Sequence, residues 1–253
     1  MASAPPPRRE SGIFSDAEDG TERGIEDYFT ALGKRTVNVF VPGRVCLFGE
    51  HSDWAGAFRR FNRGIERGYT LVVGTNQGLF ARVTRHPTHL VAASTGSAEG
   101  LRVPMQPKAL LAEAQKGGFW SYTCGVAYKI LTDYRVSGMV LHNYDTTLPL
   151  KKGLSSSAAV CVLTARAFNR LYNLKMTTRG EMEYAYQGEI LTPSQCGRMD
   201  QACAFGDRPV LLTYDGEFVD ARHDSAEDFC RLKARRCTAM DRIFIPAYCF
   251  AIS

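Results

Sequence analysis

An α+β fold is predicted for this 253-residue chain by three features of its sequence. The first third is dominated by short, β-rich apolar runs. The strongest helical patterns all lie beyond residue 120. The two kinds of element are not interleaved in the regular alternation that a parallel β-α-β sheet requires, and no segment repeats another.

Residues 1–24 combine Ala-Pro-Pro-Pro with Arg, Ser, Asp, Glu and Gly and lack apolar periodicity, which predicts a disordered tail. Ile25 to Leu32 has helical spacing and meets Gly33, a suitable C-cap. Val37 to Val41 reads as a strand ending at a Pro42-Gly43 turn, with Val45 to Phe48 a second short run. Thr70 to Val73 and Leu79 to Val83, separated by Gly-Thr-Asn-Gln-Gly, read as a hairpin. Helices are predicted over 121–131, 156–171 and 181–191, and strands over 138–142 and 210–214. On the second helix Val160, Leu163, Ala167 and Leu171 recur along one buried stripe.

Composition narrows the function classes. With 45% hydrophobic and 23% charged residues the chain is neither disordered, collagen-like nor coiled coil. Its net charge of +5 is spread along the chain and suits an anionic small ligand, with no nucleic-acid partner expected. Eight cysteines without a C-x-x-C pair are expected as buried intracellular thiols. The N-terminus has no apolar core of a signal peptide, and no apolar run reaches the roughly 18 residues of a membrane span, so a cytoplasmic protein without membrane contact is expected.

Three segments carry candidate chemistry. Leu148-Pro-Leu-Lys-Lys-Gly-Leu-Ser-Ser-Ser-Ala-Ala159 is a small-residue loop feeding a helix, whose free amides and positive dipole end suit a phosphate. It lacks Walker A spacing, and a plain serine N-cap is the structural alternative. Pro42 to Gly56 gathers Arg44, Glu50, His51 and Asp53 among glycines, either a clamp for sugar hydroxyls or a solvated loop. Glu189 and the run Cys196-Gly-Arg-Met-Asp-Gln201 form the third, in which Asp200 alone would read as a helix N-cap.

Together, in this order and spacing over about residues 36–220, these segments resemble the GHMP kinases, and within them the galactokinase-like branch. Pro42 to Gly56 resembles the galactokinase signature, Gly153-Leu-Ser-Ser-Ser-Ala-Ala159 the phosphate loop, and Gly118 to Val126 the Trp, Tyr and Gly-Val segment before that loop. Cys196 to Gln201 resembles the motif that carries the catalytic aspartate.

The resemblance implies a GHMP kinase N-terminal, ATP-binding domain over 25–221, with 222–253 a remnant of a truncated or absent ferredoxin-like C-terminal domain. It implies an ATP- and Mg²⁺-dependent small-molecule kinase acting on a sugar hydroxyl. Asp200 and Arg44 are the implied catalytic residues, and Glu50, His51 and Asp53 the sugar-binding ones. Gly153, Leu154, Ser155, Ser156, Ser157 and Ala158 would bind ATP, and Ser157 with Glu189 would hold the metal. A mevalonate-type acceptor, or a ligand sensor without turnover, are the alternatives.

The sequence also departs from the family pattern. Cys46 replaces the usual asparagine, Trp54 a tyrosine, and Lys151-Lys152 small residues of the loop. Arg59, Arg60 and Arg63 follow the sugar motif, either as contacts for an anionic sugar or as a solvated basic loop. The glycine-rich third motif of the family is not found before Ser253.

Overall fold

The computed structural model describes residues 13–15, 22–32, 35–95, 97, 99–149, 154–194, 196–216 and 218–222. Within the expected tail, β1 (Ile13–Ser15) and β2 (Glu22–Gly24) pair as antiparallel strands. They lead into α1 (Ile25–Leu32), where the Asp27 carboxylate accepts a hydrogen bond from the Gly24 amide at 2.9 Å. Then follow β3 (Val37–Phe48), α2 (Ser52–Ala57) with a 3₁₀ turn at Phe58–Arg60, β4 (Gly68–His86), β5 (His89–Ser94) and β6 (Leu101–Pro104). The second half contains α3 (Pro107–Lys116), α4 (Ser121–Asp133), β7 (Gly138–Thr146), α5 (Ser156–Tyr172) and α6 (Thr178–Glu189). A 3₁₀ turn over Asp200–Phe205, β8 (Val210–Asp215) and β9 (Phe218–Arg222) complete the described chain.

β4 is the spine of a seven-stranded sheet. β3 lies antiparallel along one of its edges, while β7 and β8 share the other. β5 then pairs parallel with β7, and β6 and β9 close the two ends of the strand order. Alternation sorts the side chains: Leu79, Ala81, Val83, Met139 and Leu141 face a large core shared with α3 to α6. Val91, Ala93 and Val140 face the opposite side, where α1 lays Ile25, Tyr28 and Phe29 on the sheet.

α5 packs on β3, β4, α4 and α6. The predicted stripe Val160, Leu163, Ala167 and Leu171 is buried along its length, and each large apolar side chain so removed from water contributes about 2 kcal/mol. α6 starts at Thr178, three residues before the sequence pattern suggests, because the Thr177 hydroxyl accepts from the Gly180 amide at 3.1 Å as N-cap.

Two turns read from the sequence are not turns. Pro42-Gly43 lies inside the continuous strand β3, where Gly43 alone faces Thr75, Asn76 and Gln77, so the bulge is on β4 and the register breaks between Pro42 and Arg44. The supposed hairpin is one strand of 19 residues, both of whose halves pair with β3. The glycines there serve close approach: a Cβ on Gly74 would lie 2.0 Å from the Gly206 carbonyl oxygen, and one on Gly78 would lie 2.3 Å from that of Val41.

One charged side chain lies inside this helix layer. Arg166 of α5 donates from Nε to Glu181 Oε2 at 2.8 Å, from Nη1 to the Phe40 carbonyl at 2.9 Å and from Nη2 to the Ala204 carbonyl at 2.6 Å. Asn169 Nδ2 satisfies the other Glu181 oxygen at 2.8 Å. Removing one partner of such a buried pair costs about 3–5 kcal/mol, whereas replacing both by apolar groups is far milder. Arg166→Met is therefore expected to lower the urea midpoint strongly, and the double variant Arg166→Met/Glu181→Leu to recover part of the loss. A single variant as stable as the parent would contradict the network.

Candidate functional site

The register break between β3 and β4, the N-terminus of α5 and the 3₁₀ turn after α6 meet around Arg44. The register break sets Arg44 opposite Gly74, and its backbone amide lies 3.5 Å from the Leu154 carbonyl, just before α5. Its guanidinium is buried and donates through Nε, at 3.1 Å, and through Nη2 to Asp200 Oδ1. Asp200 opens the 3₁₀ turn rather than capping a helix, and its side chain keeps 27% exposure against 8% for Arg44. A fixed cation thus backs a carboxylate that still reaches solvent.

The α5 N-terminus is built differently from a serine cap. Ser155 holds the left-handed conformation (φ 53°, ψ 52°) and its side chain makes no capping hydrogen bond, so its hydroxyl leaves the first-turn amides free for an anion. Such a conformation in a non-glycine residue costs about 1–3 kcal/mol and concentrates at functional sites. Ser156, Ser157 and Ala158 form the first turn. Gly153 and Lys151-Lys152 lie outside the described residues.

Glu189, at the end of α6, is buried, and its Oε2 accepts from Gln201 Nε2 at 2.8 Å. Among the described residues its Oε1 has no hydrogen-bond partner and is buried, as is Gln201 Oε1. Burial raises the Glu189 pKa from its ordinary value, a shift that Gln201 and the neighbouring Ser157 hydroxyl partly offset. The structure thereby brings Ser157 and Glu189 together. The thiols here are poor nucleophiles: burial and the nearby carboxylates push Cys196 up to about 12, and burial does the same for Cys203.

The expected sugar-binding residues divide. Asp53, in the first turn of α2, is buried and its Oδ2 accepts from the Met199 amide at 3.2 Å, one residue before Asp200. Glu50 lies within electrostatic reach of Cys46, which also feels Arg44 and Asp200. His51 is exposed, with a left-handed backbone (φ 70°), and its ring lies 6.1 Å from that of exposed Trp54. Among the described residues no hydrogen bond joins its ring to the Arg44–Asp200 pair. Arg59 donates to Asp215 Oδ1 at 2.7 Å and to the carbonyls of Arg63 and Ile65, fastening the loop to β8.

Sequence reading left two residues of this region without a role. Gln201 was legible only as the last letter of the aspartate motif, and Arg166 only as the charge that interrupts an apolar helix.

Residues 121–207 match the family model of the GHMP kinases N terminal domain. The chain is 30% identical over 188 residues to a galactokinase of Thermococcus kodakarensis, covering 73% of this chain and 48% of that protein. A Clostridium tetani galactokinase is 28% identical over 201 residues, covering 74% and 45% respectively. The fold resembles that of Lactococcus lactis galactokinase complexed with galactose, with a TM-score of 0.62 at 20% identity over 78% of this chain and 50% of that one. It also resembles Methanococcus jannaschii mevalonate kinase, with a TM-score of 0.60 at 14% identity over 77% and 57%. The chain spans about half the length of the curated relatives it matches.

Gly197 controls how the Asp200 segment sits. A Cβ there would lie 1.7 Å from Asp53 Oδ2, so Gly197→Ala must turn the Asp53 carboxylate away from the Met199 amide or move the loop. The expected loss is about 1–3 kcal/mol of stability, read from the denaturant midpoint. An unchanged midpoint would show that Asp53 is not held against this loop.

Proposed function

We propose, for a chain whose residues 121–207 carry a GHMP kinase N-terminal domain, that it transfers the γ-phosphoryl group of ATP to a hydroxyl of a small sugar, as a galactokinase-like sugar 1-kinase. The observation that carries this reading is the Arg44–Asp200 pair, set beside the uncapped N-terminus of α5.

Phosphoryl transfer demands positioning and charge stabilisation more than covalent chemistry from the protein. Asp200, part exposed, takes the proton of the sugar hydroxyl or orients it. Arg44, held against Asp200 on a buried stem, stabilises charge on the transferring group. The first-turn amides of α5 and the Ser155 to Ala158 segment receive the ATP phosphates. Glu50, His51 and Asp53 supply the sugar clamp, Asp53 acting from its place beside Met199. The donor set fits Mg²⁺, a hard cation that takes oxygen ligands: the buried, unpartnered Glu189 Oε1 and the neighbouring Ser157 hydroxyl would hold it. When bound, Mg²⁺ would neutralise phosphate charge.

The second reading is a ligand-binding domain without turnover. One experiment separates them: ADP release with Mg²⁺·ATP against neutral hexoses, pentoses, uronic acids and mevalonate, beside a sugar-induced thermal shift. Sugar-dependent ADP release that falls about 10³-fold or more in Asp200→Ala, with ATP binding largely retained, is the expected result. Undiminished release in that variant would remove Asp200 from the reaction, and a thermal shift without ADP would establish the second reading. Glu50→Ala and Asp53→Ala are expected to raise the apparent sugar KM before they lower kcat, and an unchanged sugar profile would make the segment a solvated loop.

A further inference from the structure

We propose that Gln201 is a further residue of the divalent-cation site, its Oε1 facing the cation together with Glu189 Oε1. The inference rests on the reading that Glu189 and Ser157 hold Mg²⁺.

Gln201 and Glu189 are 0% and 1% exposed, so bulk water satisfies neither side chain. The orientation of the amide is fixed by its donors: Nε2 gives one hydrogen bond to Glu189 Oε2 at 2.8 Å and approaches Cys196 Sγ at 3.6 Å. The reverse orientation would set a carbonyl oxygen against a carboxylate oxygen. With the amide so placed, Gln201 Oε1 and Glu189 Oε1 are buried and have no hydrogen-bond partner in good geometry among the described residues, the Ser157 hydroxyl and Cys161 thiol being the nearest donors to the carboxylate.

Two orphaned acceptors at the free ends of one hydrogen-bonded pair are costly in a protein interior unless something satisfies both. Both are hard oxygens, one neutral and one anionic, the donor chemistry that Mg²⁺ takes. The Ser157 hydroxyl stands beside the same carboxylate. In the proposed site one cation, reached by both oxygens, would satisfy them together. Gln201 also follows Asp200 directly within one 3₁₀ turn, so a cation drawn to Gln201 would fix the turn that carries the proposed base.

The test uses the full chain with Mn²⁺, which shares these oxygen ligands and whose free ion is read by electron paramagnetic resonance, in the presence of saturating ADP. Gln201→Met, which keeps the bulk and loses the oxygen, is expected to weaken Mn²⁺ binding about 10-fold or more. Gln201→Glu, which sets a second carboxylate beside Glu189, is expected to tighten it. A purely structural role would weaken binding in both, and that result overturns the proposal, as does parental affinity in both. Where Gln201→Met does not fold, Gln201→Glu alone decides: tighter binding supports the proposal, unchanged or weaker binding overturns it. Glu189→Gln separates the levels. If it binds Mn²⁺ as the parent does, the cation reading of the whole site falls and this inference with it; if it weakens binding while Gln201→Met does not, this inference alone falls.

Discussion

The three-way grip of Arg166 is the contact on which the rest of the site depends. Its guanidinium joins a strand carbonyl at Phe40, the carboxylate of Glu181 on α6 and the Ala204 carbonyl in the 3₁₀ turn. Those are the three elements that carry Arg44, Glu189 and Asp200. A guanidinium presents its donors in a rigid planar fork, so the partners can shift little without breaking bonds inside a dry core. The network adds modest net stability, since desolvating its charges offsets much of their attraction. What it supplies is geometry: β3, α6 and the Asp200 turn are referenced to one side chain on the helix whose N-terminus faces the site.

A second constraint comes from backbone shape. The three extra residues of β4, Thr75 to Gln77, interrupt its pairing with β3 where the side chain of Arg44 must leave the sheet and find Asp200. Opposite it, Gly74 admits the Gly206 carbonyl, so the far end of the Asp200 turn rests directly on the central strand. Left-handed conformations at His51 and Ser155 precede the two helices that flank this place. Irregular pairing and unfavourable dihedrals converge here, and the regular packing of α5 and the sheet core bears their cost.

Much of this was legible in the sequence, for reasons that differ by element. The stripe on α5 and the eight residues of α1 follow from periodicity and were read with nearly their final boundaries. The segment from Gly74 to Gly78 misled because glycines flanking polar residues signal a hairpin loop, whereas here they permit backbone contact from a partner distant in sequence. α3 and β6 were not predicted: the helix is short and carries two lysines and a glutamate, and the strand has four residues. Asp200, Glu189, Arg44 and Ser157 stand out in the sequence through the motifs rather than through periodicity. No local pattern could announce that Glu181 would meet Arg166, or that Asp53 would sit under Met199, because those pairs exist only once the chain has folded.

The charge balance of the site bears on the order in which its ligands arrive. Cys196 lies among three carboxylates, those of Glu189, Asp200 and Asp53, and all three raise its pKa. Arg44 is bonded to one of them and its charge is largely committed there. A bare nucleotide entering beside α5 would meet the helix dipole, equivalent to about half an elementary charge, against at least two uncompensated carboxylates. Dipole and backbone amides work against that repulsion at close range, where Coulomb terms in a partly buried site are several-fold stronger than in water. In the kinase reading the nucleotide therefore enters with its cation. The acidic character of the site, which looks ill-suited to a polyphosphate when Asp200 and Glu189 are considered alone, would in that reading be offset by the cation.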